Sequence, residues 1–291
     1  MRKALAGRGR GTNAMTVVVP DMQLTSINGV NLDVFDQGSG EPIVFIHGGM
    51  RDECFAVLQE PALADHFRLI HYHRRGWGRS EATGLPLTSS EQAADCRAVL
   101  DHLGVERAHF VGQSNGGTIL LQVVKEHPEI VHSLALVEPR VPQVLENYTE
   151  HEAGVKQAAE QFQAGYPVVA LDTFAKEICG VDYPSRFDRS LPDGWFERWV
   201  EDAGNIFNYT PALADRAFIE EDAAHVTQPV LNILGSDSRP GFHAVYETIQ
   251  SWFPQAESVV VTDAVHGPLS SNPRACAQHL SDFFARHPIV E

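Results

Sequence analysis

The sequence predicts an α/β fold: a mostly parallel central sheet flanked by helices, with a helical insertion. Strand-like and helix-like patterns alternate through residues 42–137 and again through 229–287. Such alternation builds a parallel sheet wrapped by helices, because each crossover between parallel strands must pass over a sheet face. Residues 42–46 are apolar without a break, as suits a strand covered on both faces. Between 141 and 226 the alternation stops. No buried strand is legible there, and the helical stretches carry aromatics such as Phe174, Trp195, Trp199 and Phe207.

The elements follow in chain order. Residues 22–26 and 31–36 flank Asn28-Gly29, a pair that accepts the positive φ angles of a two-residue hairpin turn. Residues 67–72 form the strand after 42–46. Residues 89–103 show an amphipathic helical pattern that Ser89 or Ser90 can cap and Gly104 ends. A short strand at 108–111 leads to a helix at 117–127, where Ile119, Leu120, Val123 and Val124 recur at helical spacing and Pro128 stops the run. A strand at 133–137 precedes the insertion. Beyond it come a strand at 229–234, a helix at 244–252, a strand at 258–261 and a helix at 274–287.

With 291 residues, 43% of them hydrophobic, the chain can form one large domain with an insertion. The expected division is a disordered tail at 1–20, a core domain at 21–140 and 227–291, and the helical insertion at 141–226. Residues 1–14 are basic and rich in Gly and Arg, without the apolar stretch of a secretion signal. Met15 is a plausible alternative first residue. No run approaches the ~20 apolar residues that a membrane helix needs. A net charge of −16 repels the phosphates of nucleic acid, so neither nucleic acid nor membrane is an expected partner. Cys54, Cys96, Cys179 and Cys276 are far apart and form no C-x-x-C, as in a reduced cytoplasmic protein. His71 and His73 alternate along a strand but flank an Arg-rich turn, so no metal site is expected there. The sequence leaves monomer and homodimer both open.

Gly112-Gln113-Ser114-Asn115-Gly116 carries the chemistry. This G-x-S-x-G box lies between a strand and a helix, a sharp turn that strains the serine backbone and admits only very small neighbours. The turn pushes the Ser114 hydroxyl above the sheet edge, where the first amides of the next helix suit an oxyanion. Serine alone is a weak nucleophile and needs a base, itself oriented by a third group. His266, in the loop after the last strand, can return to the same sheet edge. His47 precedes Gly48-Gly49 at the end of strand 42–46. The Gly49 and Asn115 amides are the expected oxyanion donors, which leaves His47 a structural hydrogen-bonding role beside the pocket.

Four pieces resemble the α/β-hydrolase family: His47-Gly48-Gly49, Arg75-Gly76-Trp77-Gly78-Arg79-Ser80, the box at 112–116, and His266-Gly267. The likeness runs from about Leu24 to the end of the chain. It implies the α/β-hydrolase fold, with 141–226 as the cap found in many relatives. It also implies a serine hydrolase acting on a carboxylic ester or lactone with an apolar or aromatic part, without metal or organic cofactor. Members usually take the triad acid three residues past a glycine after the seventh strand. That position is Ser238 here, and Asp237 falls one short, where the side chain points the other way. Some relatives take the acid from the end of strand six, which makes Glu138 the preferred acid and Asp237 the alternative. Asp263, though close to His266 in sequence, is expected to point elsewhere.

Met50, Trp195 and Trp199 join His47 as candidate pocket residues. Arg75 and Arg140 lie near the site and can bind a carboxylate, although a structural salt bridge is the plainer role for each. The resemblance leaves other classes open. These are carbon–carbon bond hydrolases, cofactor-free haloperoxidase-like enzymes, and receptor-like binding proteins with a slow triad. A haloalkane dehalogenase is disfavoured, because it needs Asp at position 114.

Overall fold

The structure, a computed structural model, describes residues 17–83, 87–209 and 218–290. The described residues form one eight-stranded sheet in the order β1-β2-β4-β3-β5-β6-β7-β8. Its strands are β1 (Gln23–Ile27), β2 (Val30–Gly38), β3 (Pro42–Ile46), β4 (Arg68–His73), β5 (Ala108–Gln113), β6 (Val131–Val137), β7 (Val230–Gly235) and β8 (Glu257–Val261). β1 pairs with β2, and β2 with β4, in antiparallel fashion. From β4 to β8 every pairing is parallel. The first hairpin turns where expected. Ile27 faces Val30, and Asn28 and Gly29 take φ values of 49° and 77°.

Alternation along the central strands divides the core in two. Val44 and Ile46 face one side, with α1 (Ser89–Leu103) and α2 (Asn115–Glu126). Ile43 and Phe45 face the other and pack with Phe283 and Phe284 from the C-terminal helix. Such strands are apolar at every position because neither face meets water.

Between β6 and β7 the chain forms α3 (Thr149–Gln163), α4 (Pro167–Cys179), α5 (Trp195–Glu201) and shorter turns. After β7 come α6 (Pro240–Trp252) and α7 (Pro273–Arg286).

Two local readings change. Thr88, not Ser89 or Ser90, caps α1. Its hydroxyl accepts from the Glu91 amide at 3.1 Å, and the Glu91 carboxylate accepts from the Thr88 amide at 2.8 Å. This reciprocal box satisfies two end-of-helix donors at once. The second helix begins at Asn115, directly after the serine. The expected N-terminal tail lies outside the described residues as far as 16. Beyond that, Val18 exchanges two hydrogen bonds with the Gln59 side chain, at 3.2 and 2.8 Å.

Candidate active site

The turn from β5 to α2 carries Ser114 at φ 53° and ψ −120°. This conformation is costly for a residue with a Cβ and persists because the surroundings over-determine it. The Ser114 amide donates to Val137 O at 3.0 Å, while its carbonyl accepts from the amides of Gly117 and Arg140, both at 2.9 Å. The flanking glycines are required by space. A Cβ on Gly116 would lie 2.0 Å from Ile46 O, and one on Gly112 would lie 2.6 Å from Gly116 O.

His266 enters from the loop after β8. Its Nε2 is 3.1 Å from Ser114 Oγ, and its Nδ1 is 2.7 Å from Glu138 Oε2. A carboxylate can only accept, so Nδ1 carries the proton and Nε2 is free to accept from the serine hydroxyl. Phe242, from α6, stacks on the imidazole at 3.7 Å between ring centroids and 15° between planes.

Glu138 directly follows β6, with φ 44°, and is 2% exposed. Its carboxylate also accepts from the Gly235 amide at 2.8 Å, the Gly267 amide at 3.2 Å and the Ser238 hydroxyl at 2.5 Å. Ser238, at the usual acid position, thus supports a carboxylate contributed by the neighbouring strand. Asp237 turns away and pairs with Arg186 at 2.8 Å, and Asp263 pairs with the same guanidinium at 3.1 Å.

A cavity of about 520 Å³ opens beside Ser114 and His266, roofed by the segment between β6 and β7. Gly49, Asn115, Met50 and Trp199 line it, together with Phe174 and Phe207. Asn115 opens α2, so its amide has no partner within the helix. Two expected pocket residues lie outside this lining. His47 is fully buried behind the loop. Its Nε2 accepts from the Arg74 amide at 3.1 Å, which leaves Nδ1 to donate to Gly48 O. Burial, with Arg74 beside it, holds His47 well below the usual histidine pKa. Trp195 packs edge-on against Tyr183, Phe187 and Phe196 and donates to Asp188 at 2.9 Å. One tryptophan fills the insertion's own core and the other faces the cavity, a distinction that helical spacing does not encode.

Glu53 is a lining residue that the sequence reading missed. Its carboxyl accepts from the Gly48 amide and bonds the Gln113 side chain, and burial raises its pKa to about 8. No motif marks it. Contacts from side chains of the roof hold the loops below. Trp199 Nε1 donates to Gly49 O at 2.6 Å, and Asn205 Nδ2 to Gly76 O at 2.7 Å. Arg51 holds Asp202 at 2.8 Å, and Arg198 holds Asp52 at 2.6 Å.

The sequence profile of the alpha/beta hydrolase fold matches residues 41–273. The chain belongs to the α/β-hydrolase fold family. Among curated proteins, it is 24% identical over 180 residues to a fluoroacetate dehalogenase of a Burkholderia species, covering 60% of this chain and 57% of that one. It is 30% identical over 118 residues to the dihydrolipoyllysine-residue acetyltransferase component of the acetoin cleaving system of Cupriavidus necator. That match covers 40% of this chain and 32% of the relative. The matched stretch therefore spans about a third to just over half of those two relatives. Among solved structures, a thermophilic esterase from Thermogutta terrifontis superposes with a TM-score of 0.75 at 21% identity, covering 92% of this chain and 98% of the esterase. An enol-lactonase from Burkholderia xenovorans superposes with a TM-score of 0.68 at 21% identity, covering 90% and 100%. At such identities the likeness shows the shared fold. Within this family, the chain combines a serine elbow, a histidine after the last strand and a carboxylate from strand six.

Proposed function

We propose that this family member is a serine hydrolase that cleaves a carboxylic ester or lactone through an acyl-enzyme. The observation that carries the reading is the hydrogen-bonded series from Ser114 Oγ through His266 to Glu138, with spans of 3.1 and 2.7 Å. Ser114 attacks the acyl carbonyl as His266 Nε2 takes its proton, and Glu138 stabilises the resulting imidazolium. The amides of Gly49 and Asn115 hold the oxyanion. The imidazolium then protonates the departing alkoxide, which leaves as an alcohol, or stays tethered when the substrate is a lactone. Water, deprotonated by the same imidazole, releases the acid and restores the serine.

Apolar walls such as Phe174, Trp199 and Phe207 suit an acyl group with an aliphatic or aromatic part. A dehalogenase reaction of the kind one relative's name denotes needs a carboxylate nucleophile, and position 114 is serine. The test is hydrolysis of short nitrophenyl esters by the wild type and Ser114→Ala. Turnover should vanish in the variant, and a phosphonate should label Ser114 in the wild type. Turnover that survives the substitution would discard the nucleophile.

A further inference from the structure

Arg140 stands out among the arginines around the cavity. It follows β6 by three residues, and its amide is bound to the Ser114 carbonyl at 2.9 Å, so its side chain starts beside the nucleophile. It lines the cavity. Arg51, Arg75, Arg79, Arg186 and Arg198 all hold carboxylates. Among the described residues, the buried Nη1 of Arg140 has no hydrogen-bond partner. Glu146, close enough to favour its charge, is exposed at the cavity rim. Burial lowers the Arg140 pKa, because the cation has lost much of its water.

A buried cation without a paired anion is costly, and a fold keeps one where a ligand supplies the counter-charge. The planar guanidinium fork matches a planar carboxylate with two parallel hydrogen bonds. The remaining walls are largely apolar, and Glu53, with its pKa of about 8, is neutral at pH 7. Lys156, Glu146 and Glu152 also line the cavity but are exposed, so Arg140 is the lining cation whose buried donor lies next to the nucleophile.

We infer that the substrate is an ester or lactone bearing a free carboxylate on its acyl part, which Arg140 binds while Ser114 attacks the carbonyl. This rests on the serine-hydrolase reading and deepens it. The ligand class is the half-ester of a short dicarboxylic acid, or a lactone that carries a carboxylate. Arg140 is the specificity residue, and it leaves the choice of leaving alcohol open.

The experiment compares monomethyl glutarate and monomethyl adipate with methyl valerate and methyl hexanoate, by acid release at constant pH. The wild-type ratio of kcat/KM, half-ester over neutral ester, should exceed about tenfold, and Arg140→Gln should lower that ratio by about 100-fold, as expected when one partner of a buried charge pair is removed. Arg140→Lys should recover part of the ratio, since it restores the charge without the fork. A wild-type ratio at or below one, or a ratio that Arg140→Gln leaves unchanged, overturns the inference. If the wild type turns over none of the four esters, the hydrolase reading fails separately. Calorimetric binding of glutarate then decides the matter. Binding that Arg140→Gln abolishes upholds the carboxylate site, and absence of wild-type binding overturns it.

Discussion

At the scale of single residues, the acid assignment is a matter of direction. Glu138 and Asp237 both follow strands, β6 and β7, at the same sheet edge. Glu138 turns inward and accepts hydrogen bonds from the Gly235 and Gly267 amides, the Ser238 hydroxyl and His266 Nδ1. Asp237 turns outward to Arg186. A carboxylate that orients a general base matters far more than one in a surface ion pair. Glu138→Gln should therefore lower kcat by roughly 10⁴-fold, because the amide no longer enforces the reactive tautomer. Asp237→Asn should stay within about threefold of wild type, as a half-exposed pair contributes little. Steady-state rates on one ester, at matched circular dichroism, compare the two. A larger loss from Asp237→Asn would reverse the assignment.

At the scale of elements, α5 reaches down to the loop after β3 and fixes its backbone. Trp199 donates its indole N–H to the Gly49 carbonyl, one peptide away from a proposed oxyanion donor. Trp199→Phe keeps most of the apolar wall and deletes that hydrogen bond. The Gly49 amide should then be less well aimed. The expected loss is about tenfold in kcat, smaller than the 10²–10³ seen when an oxyanion donor is removed outright. Unchanged kcat with a raised KM would instead assign Trp199 to substrate packing alone.

At the scale of the whole molecule, the buried Glu53 carboxyl makes stability depend on pH. Burial raises its folded-state pKa from 4.5 to about 8, against the opposing pull of the Gly48 amide, Gln113 and Arg74. Between those two pH values the folded chain keeps a proton that the unfolded chain releases. Its contribution is therefore complete below about pH 4.5, declines as pH rises to about 8, and is flat beyond. Glutamine at this position keeps the acceptor for Gly48 and never ionises. Glu53→Gln should thus gain stability relative to wild type from pH 5 to pH 8, on the order of a few kcal/mol at the upper end. Urea denaturation at several pH values measures this. A difference that does not grow with pH would show that the carboxyl is not held neutral.

Much of this protein could be read from local sequence. The sheet's central strands announce themselves as apolar runs. The elbow around Ser114 is legible because a strained serine needs its small neighbours within two positions. His266 follows from its place after the last strand. These features depend on residues adjacent in the chain. The Glu138 side-chain direction, the separation of Trp195 from Trp199, the neutral Glu53 and the buried Arg140 Nη1, without a partner among the described residues, depend on groups far away in sequence. His266 meets Glu138 across 128 residues, and Trp199 meets Gly49 across 150. Periodicity and turn chemistry are properties of neighbouring residues, so the sequence alone determined the architecture and the candidate nucleophile and base. Charge pairing and burial are properties of the packed whole, so only the tertiary structure decided which carboxylate faces the imidazole and that Arg140 lines the cavity beside Ser114.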